Sequence, residues 1–227
     1  MGLGALAACA SSGHVGTLDA QAELARGGRL YDAWMVETAA ADPATAHPAY
    51  PADGGYASKP ATTWRCKECH GWDYLGADGA YAAGKHATGI RGIAAWAGRS
   101  AADAEALLRG DGHGFGAVLA DADLRAVARF VAEGQVDMDA LIDRATGDVA
   151  GDEARGRAYY DTICAACHRS DGRAVDMPVL GEVSRSNPLE TLHKILNGQP
   201  GSTMPTLRAL DRQVTLRLLG YSRTRPD

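Results

Sequence analysis

The sequence predicts an all-α protein built as two tandem helical domains, the first carrying a Pro-rich loop insertion. Three observations lead there. Apolar residues recur at helical spacing behind capping residues. A short motif ahead of each Cys pair occurs twice along the chain. No stretch shows the apolar and polar alternation of a half-buried strand.

The chain has 227 residues, 46% of them hydrophobic, which is enough for two small cores. Its net charge of −5 comes from 28 acidic and 23 basic residues without long single-sign runs. Neither nucleic acid nor an anionic membrane surface is therefore an obvious partner. The four Trp and eight Tyr outnumber the two Phe, an odd supply for a self-sufficient apolar core but a reasonable one where a flat cofactor fills the interior.

In chain order, the first segment is residues 1–19, read as a signal segment and flexible N-terminus. Within it, Leu6-Ala7-Ala8-Cys9 followed by Ala-Ser-Ser-Gly resembles a bacterial lipobox, in which small residues precede a Cys that is acylated after cleavage. The apolar run before Cys9 is too short to span a bilayer and lacks a basic start, so a chance Cys in a signal fragment is the alternative. Both readings imply export to the periplasm, with a membrane-anchored lipoprotein if Cys9 is acylated.

The two domains, 20–150 and 151–227, follow from a duplication. Arg26-Gly27-Gly28-Arg29-Leu30-Tyr31-Asp32 and Arg155-Gly156-Arg157-Ala158-Tyr159-Tyr160-Asp161 share Arg-Gly-x-x-(Leu/Tyr)-Tyr-Asp. Asp161 lies three residues before Cys164, whereas Asp32 lies 34 before Cys66, so the first copy carries an insertion of 31 residues, 33–63. Pro43, Pro48, Pro51, Pro60 and Gly54-Gly55 within it predict a loop rather than helix.

Each copy continues into helices. Ser100 caps a helix that holds Leu107 and Leu108 and ends at Gly110. Leu124, Val127, Ala128 and Val131 form an amphipathic face behind Asp121, stopped by Gly134. In the second copy Asn187-Pro188-Leu189-Glu190 reads as N-cap, first-turn proline and capping glutamate, with Gly198 as the stop. A last helix carries Leu207, Leu210, Val214, Leu218 and Tyr221. The acidic connector 135–153 separates the copies, with the boundary near Ala150.

The chemistry lies in Cys66-Lys67-Glu68-Cys69-His70 and Cys164-Ala165-Ala166-Cys167-His168. Each offers two thiols one helical turn apart and an imidazole just beyond. That spacing suits two thiols adding to the vinyl groups on one edge of haem, with the His reaching the iron. A zinc ribbon needs two Cys pairs close around one ion, whereas these lie 98 residues apart, each with its own His. A thioredoxin pair needs a βαβ context that is absent here. The sequence has no His-Glu-x-x-His or Walker motif, and no strand precedes the Gly-rich Gly112-His-Gly-Phe-Gly.

From the Gly/Tyr-rich first segment through Cys-x-x-Cys-His to the last helix, both repeats resemble class I cytochrome c domains, and together they cover most of the chain. The resemblance implies two covalently bound haem c groups in small helical folds, each with an exposed edge for electron exchange and a distal Met. Met204, in Gly198-Gln199-Pro200-Gly201-Ser202-Thr203-Met204-Pro205, is similar to the family's distal loop. Met177 competes but follows His168 by only nine residues, where wall packing is expected. Pro178 is expected to offer its carbonyl to the other ring nitrogen of His168.

The first repeat departs from the family, because no Met falls between His70 and Met138. Aligning the last helices puts His113 opposite Met204, which makes it the expected distal ligand. His86 and Lys85 are alternatives, as is an open iron. His14, His47 and His193 read as solvent-exposed. Trp64 and Trp72 flank the first Cys pair and either touch haem or close the inserted loop onto the domain.

The metal ligands are thus expected to be His70, His113, His168 and Met204, with Cys66, Cys69, Cys164 and Cys167 as attachment points. A bis-imidazole haem would have a lower potential than a His/Met one. The implied function is electron transport between redox protein partners rather than catalysis. Two alternatives stay open. Dihaem thiosulfate dehydrogenases are similar in fusing two class I domains with an unusual ligand at one haem, but they use a thiolate or Lys at the catalytic iron, and no spare Cys lies near either pair. A cytochrome subunit of a larger oxidoreductase, docked through the insertion, is the other.

Overall fold

The computed structural model describes residues 12–149 and 153–227. The lipobox reading at Cys9 and the boundary at Ala150 lie outside the described residues, as does the side chain of His14. Among the described residues the chain is all-α, with two isolated β-bridges and no strand.

The helices are α1 (Ser12–Glu37), α2 (Pro60–Thr63), α3 (Cys66–His70), α4 (Ala101–Arg109), α5 (Asp121–Arg129), α6 (Glu153–Tyr159), α7 (Ala165–His168), α8 (Leu180–Ser186), α9 (Pro188–Asn197) and α10 (Arg212–Arg223). Single π-turns extend α5 over Phe130–Gly134 and join α6 to α7 over Tyr160–Cys164. Sequence-level caps hold where a side chain supplies the missing partner. Ser100 Oγ accepts from Asp103 N, and Asn187 Oδ1 accepts from Glu190 N at 3.2 Å, so α4 and α9 start where these residues sit.

Two predicted boundaries are corrected. The last helix begins at Arg212 rather than Leu207, because Asp211 Oδ1 accepts from Gln213 N and makes Asp211 the N-cap. Leu207 is buried and Leu210 is exposed in the turn before it. The insertion 33–63 is not loop throughout. Ala33 breaks helical geometry (φ −155°, ψ 84°), yet α1 resumes to Glu37. At the other end Pro60, placed in the first turn where its lost N–H costs nothing, starts α2.

The duplicated motif builds the same three devices in both copies. Helix α1 packs on α5, and α6 packs on α10. At the first crossing a Cβ on Gly27 would lie 2.1 Å from the Ala126 carbonyl oxygen; at the second a Cβ on Gly156 would lie 2.2 Å from that of Arg217. Each motif tyrosine then fixes the residue after the Cys-x-x-Cys-His. Tyr31 Oη donates to the Gly71 carbonyl at 2.6 Å and Tyr160 Oη to the Arg169 carbonyl at 2.8 Å. Both acceptors have left-handed backbone, φ 78° at Gly71 and φ 63° at Arg169, which turns the chain sharply after the histidine.

Gly27→Ala and Gly156→Ala are each expected to destabilise the protein by about 3 kcal/mol, the upper part of the range for overpacking. The Cβ meets backbone, which cannot step aside, and the loss outweighs the roughly 1 kcal/mol of helix propensity that alanine gains. Urea midpoints of the two variants check this, with an unchanged midpoint as the contrary result.

The two helix groups meet through α1 and α9. His193, read from sequence as exposed, is fully buried there. Its Nε2 donates to the Gly28 carbonyl at 2.9 Å, and Nδ1 accepts from Tyr74 Oη at 3.3 Å. Burial pushes its pKa down to about 4, so the ring is neutral and both nitrogens are used. Trp72 packs against it at 5.0 Å between ring centres, with Lys67 and Lys194 near its face.

Candidate functional site

Each Cys-x-x-Cys-His presents its residues to a cavity, the first from α3 and the second from the end of the π-turn and α7. The first cavity, about 260 Å³, is lined by Cys66, Cys69 and His70 on one side and by His113 and Phe115 from the loop after α4. Apolar residues such as Ile93, Trp96, Leu108, Val127 and Val131 complete it. The second, about 790 Å³, is lined by Cys164, Cys167 and His168, by Met204 from the loop after α9, and by Ile195, Leu207 and Leu218. Both volumes lie near or within the range of small-molecule sites.

Cys66, Cys69, Cys164 and Cys167 form no disulfide. Burial pushes Cys66 and Cys69 up to about 12 and Cys164 to about 11, with the neighbouring thiol adding to the rise at Cys66 and Cys164. With no partner in the cavity, these thiols stay protonated at pH 7. Among the described residues no three His, Cys, Asp or Glu side chains converge as a metal site would require.

His70 and His113 face one another across the first cavity, with ring centres 6.3 Å apart and planes 29° from parallel. His70 Nδ1 donates to the Arg91 carbonyl at 2.7 Å, which leaves Nε2 unprotonated and free to act as a ligand. Burial, and the proximity of the other imidazoles, hold both His70 and His113 below the ordinary histidine range, so both are neutral at pH 7.

The alternatives to His113 are elsewhere. His86 Nδ1 meets the buried Glu68 carboxylate at 3.0 Å, and its ring is stacked between Tyr56 at 4.9 Å and Tyr81 at 4.6 Å. Lys85 Nζ lies 4.7 Å from the Tyr56 ring centre. Neither lines the first cavity.

In the second cavity Met204 and Met177 are both present, Met177 at 44% exposure and Met204 half-buried. The expected bond from His168 to Pro178 is not made: His168 Nδ1 is buried without a hydrogen-bond partner, although Pro178 lines the same space. The proximal turn of the second copy does not bring a carbonyl round as the first does with Arg91.

His47 was expected at the surface and is instead 7% exposed in the wall of the first cavity. Ala49 N donates to its Nδ1 at 3.1 Å, so the proton sits on Nε2, which donates to the His113 carbonyl at 2.9 Å. Its backbone N–H donates to Thr63 Oγ1, and its ring packs on Trp64 at 4.5 Å. Trp64 in turn donates from Nε1 to the Thr45 carbonyl at 3.0 Å, so it both closes the insertion and lines the cavity. Trp72 lines neither cavity. The insertion is therefore a wall of the first site. Nothing in the local pattern around His47 marks it, because its partners lie 16 and 66 residues away.

No protein-family model and no curated protein matches the chain.

Proposed function

We propose that the chain is a periplasmic dihaem c-type cytochrome that transfers electrons between redox protein partners. On this reading it consists of two tandem class I cytochrome c-like domains, 20–150 and 151–227, and Cys9 gives a lipid anchor if acylated. Cys66 and Cys69 hold one haem c and Cys164 and Cys167 the other. His70 and His113 would bind the iron of the first, His168 and Met204 that of the second. Bound haem supplies reversible one-electron iron chemistry, and the ligands set its potential, lower for bis-imidazole than for imidazole and thioether.

The observation that carries this is the spacing of His70 and His113. Two imidazoles that held one metal between them from opposite sides, at about 2.0 Å per nitrogen, would have ring centres roughly 6.2 Å apart, against 6.3 Å here. Weighing on the same side are the paired thiols, which line the same cavities as His70 and His168. The chain's own residues orient the ligands and exclude water: Arg91 fixes the His70 tautomer, and the insertion covers the first site. No described helix is long and apolar enough to cross a membrane.

Optical absorption and electron paramagnetic resonance of the oxidised holoprotein test the assignment. Two low-spin haems are expected, one with a Met charge-transfer band, and His113→Ala turns the other high-spin. A first haem that is already high-spin in the unaltered protein overturns His113 and makes catalysis at that iron the better reading.

A further inference from the structure

The two cavities share one residue. Arg65, directly before Cys66, lines both of them. Asp32 holds its guanidinium: Nε donates to the Asp32 main-chain carbonyl at 2.7 Å, and Nη2 pairs with the carboxylate. That carboxylate is only 1% exposed and also takes Lys194 Nζ at 2.7 Å. Lys194 comes from α9, lines the second cavity, and meets the more exposed Glu190 at 3.4 Å. One buried anion thus stands between a cation adjoining the first Cys-x-x-Cys-His and a cation in the wall of the second site.

The duplication supplies an internal comparison. Asp161 occupies the position of Asp32 in the second copy and is half-exposed, paired with Arg157 one turn away at 3.4 Å. Only the first copy turned this aspartate inward. Stability does not account for that, since a buried ion cluster gains little or nothing over apolar packing of the same volume. What a buried cluster does is act on charge nearby, because the low dielectric screens it poorly.

We propose that Arg65, Asp32 and Lys194 form a charge bridge between the two sites that sets the reduction potentials of both haems together. This rests on the dihaem reading above. Reduction adds one negative charge at an iron, so a nearby cation favours it and a nearby anion opposes it.

Spectroelectrochemical titration of the holoprotein at pH 8, where Asp32 stays ionised, tests the bridge. Arg65→Met is expected to shift both midpoint potentials negative, Asp32→Asn to shift both positive, and Arg65→Lys to leave both near the unaltered values. Lys194→Met repeats the negative shift and takes the place of Arg65→Met if that chain does not accumulate. A shift at only one haem, shifts of the same sign in the Met and Asn variants, or no shift overturns the bridge. Haem content per chain is measured alongside by the pyridine haemochrome. Fewer than two haems in the unaltered protein sinks the dihaem reading and the bridge with it, whereas two haems without paired shifts sinks the bridge alone.

Discussion

Cys164→Ala combined with Cys167→Ala, matured in a host that attaches haem c, is expected to yield a chain lighter by one haem, while Cys66→Ala with Cys69→Ala loses the other. Each pair lines its own cavity with its own histidine, so the losses should be independent. The thiols cannot exchange roles, because a thioether fixes one edge of the macrocycle to one helix. Intact-mass spectrometry under denaturing conditions reads the covalent count directly. Two haems retained in either double variant would show that the Cys pairs are not the attachment points, and a chain that never carries haem would return the thiols to a structural role.

On the dihaem reading, chemical removal of both haems is expected to unfold most of the second helix group. The second cavity measures about 790 Å³. Emptying a space of that size costs its walls the packing that a bound group supplies. Water entry lowers the cost but wets Ile195, Leu207 and Leu218, whose burial holds α9 and α10 together. The first cavity, about 260 Å³, loses less. Far-UV circular dichroism should therefore show α6 to α10 lost while α1, α4 and α5 keep part of their helix. An apoprotein with native far-UV and near-UV spectra would mean that the cavities are not built around a group of that size.

Local chemistry in this chain is legible from sequence wherever the partner lies within a few residues. Asn187 with Glu190, and Ser100 with Asp103, announce helix starts because a cap needs a side chain only three positions from an orphan N–H. The Cys-x-x-Cys-His spacing likewise carries its own geometry. The duplication went further, since Gly27 and Gly156 mark helix crossings that neither copy alone would reveal. Where the reading was wrong, the cause was distance along the chain. His193 shares a helix face with Leu189, Leu192 and Leu196 but was read as exposed, because the partners that bury it, Gly28 and Tyr74, lie 165 and 119 residues away. His47 looked like a loop histidine because the residues that bury it come from α2, Trp64 and the His113 loop. Pro178 failed in the opposite sense: its place in the motif is right, but the turn that would aim its carbonyl at His168 is not formed.

The clamp on His113 bears on the speed of an electron hop. On the proposed reading, the backbone of a distal ligand is gripped from behind by His47, which Thr63, Ala49 and Trp64 hold in turn. A ligand anchored in this way has little room to relax when the iron changes charge. The nuclear rearrangement that accompanies each transfer is then small, and so is the driving force needed to make the transfer fast. Residues 33–63, an addition to one copy of a duplicated fold, would serve as a damper: they hold one iron's surroundings nearly the same before and after the electron arrives, while the second site, whose His168 nitrogen has no anchor, is left softer.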